Sequence, residues 1–135
     1  EIAYDKVSQN GVKQTVVLSE IFKNYYEKTQ KPIMITEWSF PAYDSGLPCT
    51  YGAGMRVSTQ LERAQAFEIY QEALFDMSYL VGSEFFMWVD PPKTGLKSTY
   101  KLDTNYGLVN EKDEPYTVVT NAAKQVNDNV YRIRK

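Results

Sequence analysis

The sequence has no histidine and a single cysteine, Cys49, in 135 residues. Without imidazole, the chain's own residues cannot supply Ser-His-Asp or Cys-His catalysis, imidazole metal ligation or a histidine pH switch. One thiol makes neither a disulfide framework nor a cysteine metal cluster. No apolar stretch approaches the ~20 residues of a membrane helix, and no basic-then-apolar leader precedes the first helical pattern. The chain therefore reads as soluble, with no membrane partner. An excess of one charge is also missing: 15 basic and 17 acidic residues give a net charge of -2, and the basic residues are dispersed. That leaves no electrostatic footprint for nucleic acid.

What is present is 43% hydrophobic and 24% charged residues, the balance of one soluble globular unit,. A chain of this size can bury roughly two thirds of its unfolded surface. Aromatic content is 14%, including eleven Tyr and two Trp, which suits the flat faces of sugars as well as an ordinary core. With imidazole and thiol chemistry removed, carboxylates are the strongest candidates for catalysis.

Periodicity places a helix over residues 14–28, where Leu18, Ile21, Phe22 and Tyr25 share one face,. A four-residue link leads to a strand at 33–36. Thr-Gln-Leu-Glu at 59–62 has capping-box spacing and starts a second helix, with Thr59 as N-cap and a buried stripe of Ala66, Tyr70, Ala73, Leu74 and Met77,. Another brief link precedes residues 81–89, a run too rich in Phe, Met, Trp and Val to face solvent on either side, and so a second buried strand,. The last helix starts after Pro115, buries Val119, Ala122, Ala123, Val126, Val130 and Ile133, and ends on the basic run Arg132-Ile133-Arg134-Lys135,. No internal repeat or low-complexity segment interrupts this order.

Helix-to-strand links are short and strand-to-helix links long and chemically rich, the asymmetry of (β/α)8 barrels, whose active sites lie on the loops after each strand. Two parallel strands cannot close a barrel and leave open edges. The expected fold is α/β, a carboxyl-terminal fragment of a (β/α)8 TIM barrel, with residues 1–135 as one partial domain and residues 2–4 as the tail of an earlier strand. The open edges predict self-association, or retention by the remainder of the barrel.

Three signals converge on the loop face. Glu37 stands at the tip of the first strand in Lys-Pro-Ile-Met-Ile-Thr-Glu-Trp, residues 31–38. Unpaired burial of such a carboxylate costs several kcal/mol, so it is an ion-pair partner, a cap, or an ionised nucleophile held rigidly by the strand. Phe-Phe-Met-Trp-Val-Asp-Pro-Pro, residues 85–92, ends the second strand on Trp88 and Asp90. Trp88 is either core or a sugar-stacking surface, and Glu84 reads as a paired structural acid. The loop from Trp38 through Tyr43 to Arg56 carries aromatics, hydroxyls and one guanidinium suited to sugar hydroxyls,. Its glycines, Gly46, Gly52 and Gly54, set turns and make no phosphate-binding fingerprint. Asn105 and Tyr106, in the turn-forming Asp-Thr-Asn-Tyr-Gly, are candidate rim contacts.

These residues resemble the retaining glycoside hydrolase superfamily of (β/α)8 barrels, the clan A type, over about residues 33–126. Ile-Thr-Glu-Trp at 35–38 is similar to its seventh-strand nucleophile motif, and Phe-Met-Trp-Val-Asp at 86–90 to its eighth strand with a sugar-stacking Trp. Asn-Tyr-Gly-Leu-Val at 105–109, with Glu-Lys-Asp-Glu-Pro-Tyr at 111–116, is similar to the segment that closes these barrels. The resemblance implies a retaining double displacement on a poly- or oligosaccharide, with Glu37 as nucleophile and Trp88, Trp38, Tyr43, Asp90, Asn105 and Tyr106 as substrate-binding residues. It requires no metal or organic cofactor. The acid/base Glu, which the family carries on its fourth strand after an Asn, has no counterpart here; Asn110-Glu111 comes too late and in a turn. The parent protein is then the enzyme and this polypeptide alone is inactive. Two other readings fit the same residues: a non-catalytic carbohydrate-binding or scaffold barrel fragment, and a different barrel enzyme with Glu37 as general base. The resemblance further implies a periplasmic or extracellular location.

Overall fold

A computed structural model describes residues 18–96 and 101–133. The elements run α1 (Leu18–Thr29), β1 (Ile33–Trp38), a 3-10 turn (Tyr43–Ser45), α2 (Gln60–Phe75), β2 (Leu80–Phe85), α3 (Thr117–Asp128) and α4 (Val130–Ile133). The expectations for residues 2–4 and 14–17, for the Leu18 side chain and for Arg134 and Lys135 lie outside the described residues.

Local chemistry explains where these elements begin and end. Thr59 is extended and its hydroxyl accepts the Glu62 amide at 3.2 Å, which starts α2 where the capping box predicts,. The reciprocal arm differs from expectation: the Glu62 carboxylate accepts the Ser58 amide at 2.6 Å, one residue further out, still at the positive end of the helix dipole,. In α1, Phe22 is buried while Tyr25 is exposed; the inward aromatic is Tyr26, stacked on Tyr79 with centroids 4.7 Å apart. The predicted face is thus rotated by one residue at its carboxyl end. The expected single last helix is two, because the chain leaves helical geometry at Asn129, whose side chain donates to the Gln125 carbonyl at 2.8 Å.

β1 and β2 pair in parallel, from Ile33 opposite Leu80 to Trp38 opposite Phe85. The Phe86 amide extends the ladder to the Trp38 carbonyl at 2.9 Å. Between Ile35 and Trp38 the register slips, with β1 advancing three residues against two in β2, a bulge at Thr36 and Glu37. Simple alternation would put Ile35 and Trp38 on opposite faces. The bulge lets Ile33, Ile35 and Trp38 all pack into one core while Glu37 is exposed.

That core joins Phe22, Trp38, Phe40, Phe67, Tyr70, Leu74 and Leu80. α2 lies between the sheet and α3 and is therefore buried on two sides. Its buried set takes in the expected Ala66, Tyr70 and Leu74 and adds Arg63, Ala64, Phe67 and Gln71. Ala64 meets Val119 and Ala122 of α3 in a second cluster. The second strand is shorter than the expected 81–89 run. After Phe86 the chain pairs instead with residues 106–109: the Met87 amide reaches the Tyr106 carbonyl, the Val109 amide reaches Trp88, and the Asp90 amide reaches Val109, at 2.9–3.0 Å. Nor is β2 covered on both faces by the described residues, since Val81 is exposed beside an exposed Met34 of β1.

Candidate active site

The bulge is the feature that presents Glu37. Its backbone belongs to β1 without a register partner on β2, its side chain is exposed, and no described residue hydrogen-bonds or ion-pairs with its carboxylate. The structural roles of ion-pair partner and cap therefore have no support among the described residues. Trp38, one residue on, goes the other way. It is 6% exposed, with Tyr70, Phe67 and Phe85 rings 4.6–5.0 Å from its own. Trp38 was expected to contact sugar; its indole is a core side chain with no open face.

The loops after β1 and β2 are tied to each other by directed polar contacts. The Asp103 carboxylate accepts the amides of Thr50 and Tyr51 at 2.9 and 2.8 Å, and its carbonyl accepts the Cys49 amide at 3.0 Å. Thr104 donates its hydroxyl to the Tyr51 carbonyl, and Tyr106 donates its phenol to the Ala53 carbonyl. Arg56 gathers the Cys49, Gly52 and Gly54 carbonyls at 2.9–3.3 Å. Gly52 has φ +122 and no room for a Cβ against the Tyr106 hydroxyl, so only glycine fits,. Burial pushes the Asp103 carboxyl up, but the two amides and nearby Lys101 outweigh it and hold it below its ordinary range,. Burial also raises the Tyr106 phenol; Arg56 opposes this, while the charges of Glu37 and Asp103 reinforce it. Tyr106 thus lies within the electrostatic reach of Glu37.

A second network stands behind the first. Asp90, 5% exposed, accepts the Asn105 side-chain amide at both oxygens (3.1 and 2.9 Å), the Gly107 amide at 2.6 Å and the Tyr116 hydroxyl at 2.6 Å. Asn105 in turn accepts the Ala42 amide and the Gln60 side chain at 3.3 and 2.8 Å. Arg63 enters from α2, donates to the Tyr106 carbonyl at 3.0 Å, and lies over the Phe85 and Tyr116 rings. Burial lowers the Arg63 pKa to about 10 against the opposing pull of Asp90. Burial, reinforced by the bond to Asp90, pushes the Tyr116 phenol well up. A methyl at Gly107 would stand 2.2 Å from the Asp90 amide nitrogen, which fixes that residue too.

The predicted binding residues therefore divide. Trp88 is 67% exposed and Tyr43 is exposed at the start of the 3-10 turn, neither covered by the described residues. Asp90, Asn105 and Tyr106, expected to bind substrate, are buried because each is consumed in holding the two loops together. Arg63 and the Asp103 clamp were missed. Arg63 falls four residues before Phe67 and seven before Tyr70, so the helical period that found the stripe also reaches it.

No family model matches the chain. Its sequence is 35% identical over 104 residues to β-agarase B of Vibrio sp. (strain JT0107), a match covering 77% of this chain and 11% of that protein. Its fold matches the crystal structure of the agarase AgWH50C with TM-score 0.77 at 33% identity, covering 87% of this chain and 18% of that one. It also matches an exo-β-agarase, with TM-score 0.76 at 29% identity, over 87% of this chain and 15% of that one. The chain spans about a tenth of the length of the curated relative, 11%. In sequence and in α/β fold alike, the chain is similar to one stretch of the agarases.

Proposed function

We propose that this chain is the carboxyl-terminal part of a (β/α)8 barrel, about strands seven and eight with their helices, in a retaining glycoside hydrolase acting on agar-type galactan. The observation that carries the reading is the bulge in β1, which exposes Glu37 at the end of a parallel ladder while its neighbours pack into the core. Bulges beside active sites re-aim single side chains in this way, and the similarity to agarases supplies the substrate class.

In this mechanism a Glu37 oxygen attacks the anomeric carbon and forms a glycosyl ester as the glycosidic C–O bond breaks. The departing oxygen takes its proton from a carboxylic acid outside this chain, and that group, now a carboxylate, deprotonates the water that releases the sugar. Trp88 stacks on a sugar ring, and Tyr43 lies at the rim. Asp90, Asn105, Tyr106 and Arg63 are positioning residues that fix the loops around Glu37. By itself the chain is inactive, because it lacks the second carboxyl group. The family resemblance favours a periplasmic or extracellular location for the parent protein.

In the full-length protein, Glu37→Gln is expected to lower kcat on agarose-derived oligosaccharides by at least about 1,000-fold with the fold intact. A partner carboxyl group about 5 to 5.5 Å from Glu37 is expected in a structure of the whole protein. Equal turnover by Glu37→Gln would remove this residue from the mechanism and leave the carbohydrate-binding alternative.

A further inference from the structure

We infer that Tyr51 is a second sugar-stacking surface, a binding subsite that recognises a galactan residue away from the bond being cut. This rests on the glycosidase reading above and extends it to a residue that the sequence motifs do not single out. Tyr51 is 48% exposed, although its backbone is among the most firmly held in the loop. Its amide is fixed by the Asp103 carboxylate at 2.8 Å, its carbonyl by the Thr104 hydroxyl, and the preceding amide by the same carboxylate at 2.9 Å. Two residues on, the Ala53 carbonyl accepts the phenol of Tyr106. The bonds that tie the two loops together thus also hold the backbone beneath one exposed ring. Binding gains from this, because an aromatic surface fixed beforehand loses little freedom when a sugar settles on it.

The ring's chemistry fits the class of ligand. The Lys101 ammonium lies 5.0 Å from the Tyr51 ring centroid, which steadies the ring through a cation–π contact. The exposed part offers an apolar surface to the C–H face of a pyranose, beside an ammonium that can meet its hydroxyls. Trp88 and Tyr51 are both exposed aromatics, one on each of the two loops that follow the strands. On this proposal an extended substrate touches both, whereas a short one reaches only the ring nearer the scissile bond.

The test compares Tyr51→Ala and Tyr51→Phe with wild type in the full-length protein, using short and long agarose-derived oligosaccharides. Stacking of this kind is worth about 0.5 to 1.5 kcal/mol, so Tyr51→Ala is expected to raise KM for long substrates roughly 2- to 12-fold. kcat and the KM for the shortest substrate should be unchanged, and Tyr51→Phe should behave as wild type. An unchanged KM at every length overturns the subsite. So does a KM rise that is equal at all lengths and accompanied by a fall in Tm, since the ring would then be a structural contact. A Glu37→Gln protein that stays active overturns the underlying glycosidase reading instead, and the double variant separates the two: oligosaccharide binding to Glu37→Gln should weaken on adding Tyr51→Ala.

Discussion

The helix-and-strand body and the tier of loops above it are built by different forces. The body is held by undirected burial: Trp38, Phe67, Tyr70, Leu74 and Leu80 pack from three elements, and the Tyr70 hydroxyl is buried deeply enough that desolvation raises its pKa to about 12,. The loop tier buries apolar residues of its own, Ala42, Cys49, Tyr106 and Val109, but its conformation is specified by hydrogen bonds to two carboxylates, Asp90 and Asp103. Burial tolerates small shifts of position, while a hydrogen bond weakens steeply once its angle is lost. The body therefore supplies stability and the tier supplies position. A barrel enzyme needs both, and here they fall on separate residues.

The largest expected effect is on the body. Phe67→Ala removes a buried ring and should cost about 3 to 5 kcal/mol of unfolding free energy, read from the denaturant midpoint. Its loss should be global, with no loop opening ahead of the rest; early opening of residues 86–116 would break the division of labour. Asp90→Ala comes next, at about 2 to 3 kcal/mol, because it strands the Asn105, Gly107 and Tyr116 donors in a buried site,. Amide exchange should then rise first at residues 105–116, ahead of α2. The smallest effect comes from acid. Asp103 is held below its ordinary range, so its clamp is fully present above that range and is lost as pH falls through the lowered value,. Protection of the Thr50 and Tyr51 amides, corrected for intrinsic exchange, should fade over that acid window while α2 stays protected. Loss of that protection near neutral pH would contradict the clamp.

Much of the body was legible in the sequence, and less of the tier. Thr59 announced α2 because a cap is a local signal, and the Ala66, Tyr70 and Leu74 stripe followed from helical geometry. The second buried side of α2 was hidden because Arg63 and Gln71 are polar. They are buried only because the Tyr106 carbonyl and the Ser83 hydroxyl come from distant parts of the chain. Glu37 was found as a carboxylate at a strand end, but the bulge that separates it from Trp38 depends on pairing with β2, and periodicity alone could not send the two side chains opposite ways. Asp90 and Asn105 carried the right polarity for contact with a sugar. Their burial follows from meeting each other, which spacing along one loop does not reveal. The break at Asn129 lies in a run whose apolar period continues unbroken, so only the backbone shows it.

The single carboxylate of Asp90 gathers donors from positions 105, 107 and 116. Anyone transplanting loops between related enzymes to change what they accept must therefore move Asp90 together with Asn105, Gly107 and Tyr116, and keep the residues at 42, 50–53 and 60 that bond to the same loop. A shorter graft would bring in an acid without its donors, or the donors without their acid, and the recipient would receive the desired sequence in the wrong shape.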